Sequence, residues 1–247
     1  MPMSSLMVHV LGTAMMFAGL YVALSLLFGQ GMRSSVWIGL LFLAAMWIGI
    51  EHCGDFNPST GGTDAGTAPP YAIALILTYL TWRMSRPVAE SSDHESLLET
   101  RFWIHAVRVV FGFLWAWDAI FKLEPYFFEH MVGFISSAES GQPGFVVAYQ
   151  QLWIAIITHT SPLFFSVMSA LTEAALAWSL LTGKLLRIFL PIGFVFSLLI
   201  WSTAEGFGGP YRIGSTGMPG NMLGTAIIYA LVFVYLMAIY GPRHQAG

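Results

Sequence analysis

Long apolar runs separated by short polar breaks dominate the chain, and seven of them have the length that a ~30 Å hydrocarbon slab demands of a helix. They predict spanning helices at about 7–28, 36–52, 69–84, 102–122, 162–182, 188–206 and 222–240. An eighth run, 147–158, is only about a dozen residues long and carries Gln150 and Gln151, so it is read as interfacial or re-entrant. The polar stretch 86–101 is read as a cytoplasmic linker. Its Ser92 and Glu95 stand at capping-box spacing, which predicts a short helix leading into the fourth span.

The pattern repeats. Shifted by 154 residues, Ala23, Ser25, Leu26, Leu27, Gly29, Arg33, Ile38, Gly39, Phe42, Trp47, Glu51 and Gly54 meet identical residues, from Ala177 to Gly208. Arginine, tryptophan and glutamate identities are not what an apolar composition matches by accident, so a helix pair is used twice. After a two-residue slip, Ala74, Tyr79 and Leu80 fall opposite Ala230, Tyr235 and Leu236. The expected fold is therefore all-α and integral to a membrane. Seven transmembrane helices form a three-helix parallel repeat (helices 1–3 and 5–7) plus one extra helix, the fourth. The expected domains are a three-helix partial repeat (1–84), a linker (85–101) and a four-helix bundle (102–247).

Composition agrees: 56% of residues are hydrophobic and only 9% charged. With the N-terminus outside, only Lys122 and Arg212 of the ten basic residues fall on the outer side. That bias places the C-terminus inside and the protein in a cytoplasmic (inner) membrane. Were 147–158 to span, Lys184 and Arg187 would face outward. No basic segment precedes the first run, which speaks against a cleaved signal peptide. A net charge of −3 implies no nucleic-acid partner, and the single Cys53 leaves no internal disulfide.

Charges in a bilayer cost about 2.5 to 3.5 kcal/mol each on insertion scales, so each marks a candidate site. Glu173 is the deepest, with Ser166 and Ser169 on its face; a carboxyl at that depth is protonated or paired and is able to pass a proton. Gly19 occupies the matching position in the first half. The alternative for Glu173 is a neutral acid acting as packing glue. Glu51 and Glu205 each follow a tryptophan (Trp47, Trp201) by four residues and share its helix face. Their duplication favours a structural role. Asp118 and Lys122 are spaced to pair, and Arg108 is placed to snorkel. His9, His52, Cys53 and Asp55, near the outer face, are weak candidates for copper or zinc. The loop 206–210 is glycine-rich, but no P-loop lysine follows, and tight backbone turning explains it better.

The runs RVVFGFLWAWDAIFKLEP (108–125), Gly141-Gln142-Pro143, LTEAALAWSLLTG (171–183) and WSTAEGFGGPY (201–211) resemble, in order and spacing, the DoxX/DoxD-like membrane family. The likeness covers about 101–241, with a partial copy added in front. Members are four-helix membrane proteins, and the DoxD type is similar to the larger subunit of thiosulfate:quinone oxidoreductase. The resemblance implies a quinone-linked redox role, with Asp118, Lys122, Glu173 and Glu205 matching the family's polar pattern.

The expected function is thus a membrane subunit of a quinone-linked oxidoreductase. Glu173 and Glu205 would be its catalytic residues. Asp118, Lys122, Trp115, Trp201 and Arg108 would line the quinone site. No haem, flavin or iron–sulfur motif is present, so electrons would come from a partner protein or a small reduced sulfur donor. Expected partners are the lipid bilayer and other membrane or periplasmic subunits. The alternatives are a non-catalytic structural or assembly subunit of a larger membrane complex, and an outer-face metal-binding protein.

Overall fold

The computed structural model describes residues 5–49, 51–54, 66–85, 93–208 and 224–241. Among them are nine helices and no strand: α1 (Ser5–Phe28), α2 (Met32–Gly49), α3 (Ala68–Met84), α4 (Asp93–Phe121), α5 (Pro125–Ser137), α6 (Gly144–Thr160), α7 (Pro162–Thr182), α8 (Leu186–Thr203) and α9 (Ala226–Tyr240). Helices are what an apolar solvent requires, because each backbone N–H and C=O must find its partner within the segment.

Helices coincide with all seven expected runs. Four are long and apolar enough to cross a membrane by length and composition: 32–49, 100–121, 162–182 and 186–203. The stretches Met16–Phe28 and Ala226–Tyr240 are apolar but shorter. At 1.5 Å per residue the 15-residue α9 is only about 22 Å long. Large side chains such as Leu27, Leu41 and Phe145 point outward in numbers that water would not tolerate and that a bilayer satisfies. The lead-in helix expected before the fourth span is the beginning of α4, which runs 29 residues unbroken from Asp93. Ser92 itself lies outside the described residues. Helix α5 was not foreseen. Helix α6, longer than its apolar run, lies across the end of α8: its Tyr149 and Gln150 bond Ser202 and Thr203, the last two residues of that helix.

The packing centres on α4. It lies along α7, and α3 touches both α4 and α9. A Cβ on Gly112 would come within 3.0 Å of Leu180 and Leu181, so this glycine is what lets the α4 and α7 backbones approach. Phe111 and Trp115 then fill the core beside Leu176, Leu180, Tyr229 and Phe233. Thr78 and Tyr235 share a 3.1 Å hydrogen bond that joins α3 to α9.

Matched turns recur at the spacing seen in the sequence. Positive φ angles occur at Gly29 and Gly183, Gly31 and Leu185, His52 and Gly206, Cys53 and Phe207, Gly54 and Gly208, and Gly66 and Gly224. Gly141 is the only described residue of this kind without a counterpart. A left-handed non-glycine residue is uncommon, so its recurrence at Cys53 and Phe207 is specific. Hydrogen bonds match too: Cys53 N donates to Trp47 O, and Phe207 N to Trp201 O, both at 2.8 Å. The third segment corrects the sequence alignment. Gly66, Thr67, Ala68 and Tyr71 correspond to Gly224, Thr225, Ala226 and Tyr229, a shift of 158 rather than 156. Consistently, Gly39 would meet Leu75, and Gly193 would meet Phe233, if either bore a Cβ. Few identities mark the third segment, and the geometry of the preceding turn is what sets its register.

Candidate functional site

Two glutamates sit at matched turns and hold matched helices. Glu205 Oε1 accepts hydrogen bonds from Thr225 N (3.0 Å) and Ala226 N (3.1 Å), and Oε2 accepts from Ala226 N (3.1 Å). Glu51 Oε2 accepts from Ala68 N at 3.1 Å. Each carboxylate therefore satisfies free amides at the N-terminus of the next helix and opposes its dipole. A Cβ on Gly66 or Gly224 would run into the Glu51 or Glu205 carboxylate and crowd Trp47 or Trp201, so glycine is required at both places. This clip is the structural role that duplication favoured for both residues.

The candidate centre for chemistry lies elsewhere. Glu173, twelfth of the 21 residues of α7, is fully buried, and Lys122 Nζ reaches its Oε1 at 2.6 Å from the turn after α4. Lys122 also stands 5.6 Å from the centre of the Phe127 ring of α5. Asp118 lies one turn before Lys122, and its carbonyl accepts the Lys122 N–H at 3.1 Å. The i, i+4 spacing set Asp118 beside Lys122 in the sequence and gave no sign of Glu173, which is 51 residues away in the chain. Glu173 Oε2 has no hydrogen-bond partner among the described residues; neither have Trp115 Nε1 and Ser197 Oγ, all buried. Ser166, placed by spacing on the Glu173 face, donates instead to Pro162 O at 3.0 Å.

Arg108 does not snorkel to water. It is buried, and its Nη1 donates to Leu180 O at 2.5 Å, at the C-terminal end of α7 where a cation is favoured. Trp115 stands in a closed aromatic cluster, 5.2 Å from Tyr229 and 5.7 Å from Phe233 between ring centres. Trp201 packs edge-on to Phe207 at 5.2 Å. Of the residues expected to line a quinone site, Arg108 lies at the end of α7, Trp115 in the aromatic cluster and Trp201 against Phe207, while Lys122 reaches Glu173 and Asp118 lies one turn before Lys122.

Sequence reasoning missed a clamp on the turn after α8. Gln142 Nε2 donates to Gly206 O (3.0 Å) and Gly208 O (3.3 Å), and buried Gln150 donates to Thr203 O at 2.9 Å. Amide side chains in an otherwise apolar segment were the available signal. As for metal, no group of three His, Cys, Asp or Glu residues comes together among the described residues. His52 and Cys53 occupy the left-handed turn of the first unit. Asp55 and the His9 side chain lie outside the described residues.

No protein-family model, no curated protein and no solved structure matches this chain.

Proposed function

We propose that the chain is a membrane subunit of a DoxX/DoxD-like, quinone-linked oxidoreductase, and that Glu173, Lys122 and Asp118 form its proton-handling site. One observation carries this reading: a carboxyl buried halfway along α7, with one oxygen held by Lys122 and the other without a partner. A buried charge of this kind is retained at a cost and marks a pathway or a reaction centre. Reducing a quinone consumes two electrons and two protons. The electrons come from a partner protein or a reduced sulfur donor. Glu173 takes up a proton at Oε2 and passes it on, and Lys122, in the turn that directly follows α4, links it to the outside. Glu205, Glu51 and Arg108 keep the bundle in register around this centre.

The same reading has seven crossings, two three-helix units (α1–α3 and α7–α9) flanking α4, with α5 and α6 on the outer face of a cytoplasmic membrane. Purified protein mixed with a reduced sulfur donor and decyl-ubiquinone is expected to reduce the quinone, and Glu173→Gln to lose that activity while keeping its fold. Unchanged turnover in the variant removes Glu173 from the reaction.

A second reading, a non-catalytic assembly subunit, is favoured by a different observation. Glu51, Glu205, Arg108, Gln142 and Gln150 are all spent on helix ends and turns. Recovery only within a stoichiometric complex, with no activity alone, selects this reading.

A further inference from the structure

A hollow of about 270 Å³ opens between α1, α2 and α3, lined by residues including Gly19, Val22, Phe42, Tyr71, Leu75 and Thr78. Their counterparts, 154 or 158 residues on, are Glu173, Leu176, Phe196, Tyr229, Phe233 and Leu236. In the second unit those positions are closed over by two aromatic side chains of α4. Phe111 lies 5.0 Å from Phe233, and Trp115 lies 5.2 Å from Tyr229 and 6.0 Å from Phe196. The first unit has the same seat, and among the described residues no helix fills it.

Exposure shows the same vacancy from both sides. Met16 and Leu26 of α1 are 62% and 38% exposed, whereas Ala170 and Leu180, their counterparts on α7, are 3% and 1% exposed under α4. On the facing helix, Leu231 of α9 is 42% exposed and its counterpart Ile73 of α3 is 3% exposed. The surfaces left open on α1 and α9 are thus those that α4 covers on α7 and α3.

We propose that this groove seats one membrane-spanning helix of a second polypeptide, in the way α4 sits on the second unit. The occupied seat shows what chemistry the empty one accepts. Gly112, between Phe111 and Trp115, packs on Leu180 and Leu181, and the counterparts of those two are again leucines, Leu26 and Leu27. The occupant therefore carries the pattern aromatic, small, two residues, aromatic. Gly19 replaces Glu173, so the occupant brings no equivalent of Lys122 and stays uncharged at that depth.

The proposal does not depend on quinone chemistry and is tested by binding. The full chain in phosphatidylcholine nanodiscs, labelled at its single Cys53, is titrated with an acceptor-labelled synthetic peptide of sequence 100–121, the chain's own α4. Nothing lies within 4 Å of a Cβ built on Gly19, which lines the hollow, so Gly19→Trp starts a bulky side chain from open space into it. Saturable energy transfer is expected, at least tenfold weaker in Gly19→Trp and unchanged in Leu20→Trp, whose side chain faces lipid. Glu173→Gln is expected to leave the transfer intact, which separates this result from failure of the proton-handling site. Absence of saturable transfer, or equal loss in both tryptophan variants, overturns the proposal. So does transfer between two copies of the chain that Gly19→Trp abolishes, which would make a second copy the occupant.

Discussion

Lys122 and Glu173 illustrate how one side chain's role depends on what the fold brings to it. A carboxylate halfway along α7 is expensive alone, and an ammonium at 2.6 Å offsets much of that cost. Removing Lys122 leaves the Glu173 carboxylate buried without its ammonium, whereas replacing both with apolar groups removes the problem. Lys122→Met is therefore expected to destabilise the protein by about 3 to 5 kcal/mol, and Lys122→Met/Glu173→Leu to recover most of that loss. Thermal unfolding in detergent, followed by tryptophan fluorescence, measures both. Losses that simply add would show that the two residues are not coupled. Gln150 makes the same point with a neutral group: on sequence it only argued that its segment does not span, yet in the fold it caps Thr203.

At the scale of the element, the ends of the helices carry more information than their apolar bodies. Helices α3 and α9 are each held at the N-terminus by a carboxylate from the preceding turn, and no other side-chain cap is present there. Glu205→Ala is expected to cost about 1 to 2 kcal/mol, the upper end of an N-cap loss, because three bonds to Thr225 and Ala226 are removed. Glu51→Ala removes one bond and is expected to cost less. Hydrogen exchange read by mass spectrometry should localise the first effect to the start of α9 and the second to the start of α3. Protection unchanged in both variants would rule out the clip.

For the molecule as a whole, the seven crossings proposed above put both glutamate clips on one side of the membrane and the turns after α1 and α7 on the other. In a Cys53→Ser background, His130→Cys on α5 is expected to react with a membrane-impermeant maleimide in intact cells. Gln30→Cys and Lys184→Cys, both exposed in those turns, are expected to react only after the membrane is opened. Labelling of Gln30→Cys and Lys184→Cys from opposite sides would break the parallel arrangement of the two units, and with it the vacant seat beside α1 and α9.

Much of this molecule was legible in one dimension because its solvent is apolar. A segment in such a solvent must be a helix that satisfies its own backbone, so run length carried the helices and the 154-residue repeat carried the matched turns. The turns of the repeat were legible as well, since Gly29, Gly54 and the two glutamates mark positions where backbone geometry admits few alternatives. Hidden from any linear pattern were the contacts between helices distant in the chain. The partner of Lys122, the burial of Arg108 against α7 and the four-residue slip before α9 depend on how helices dock, and apolar faces of like composition do not announce which neighbour they will meet.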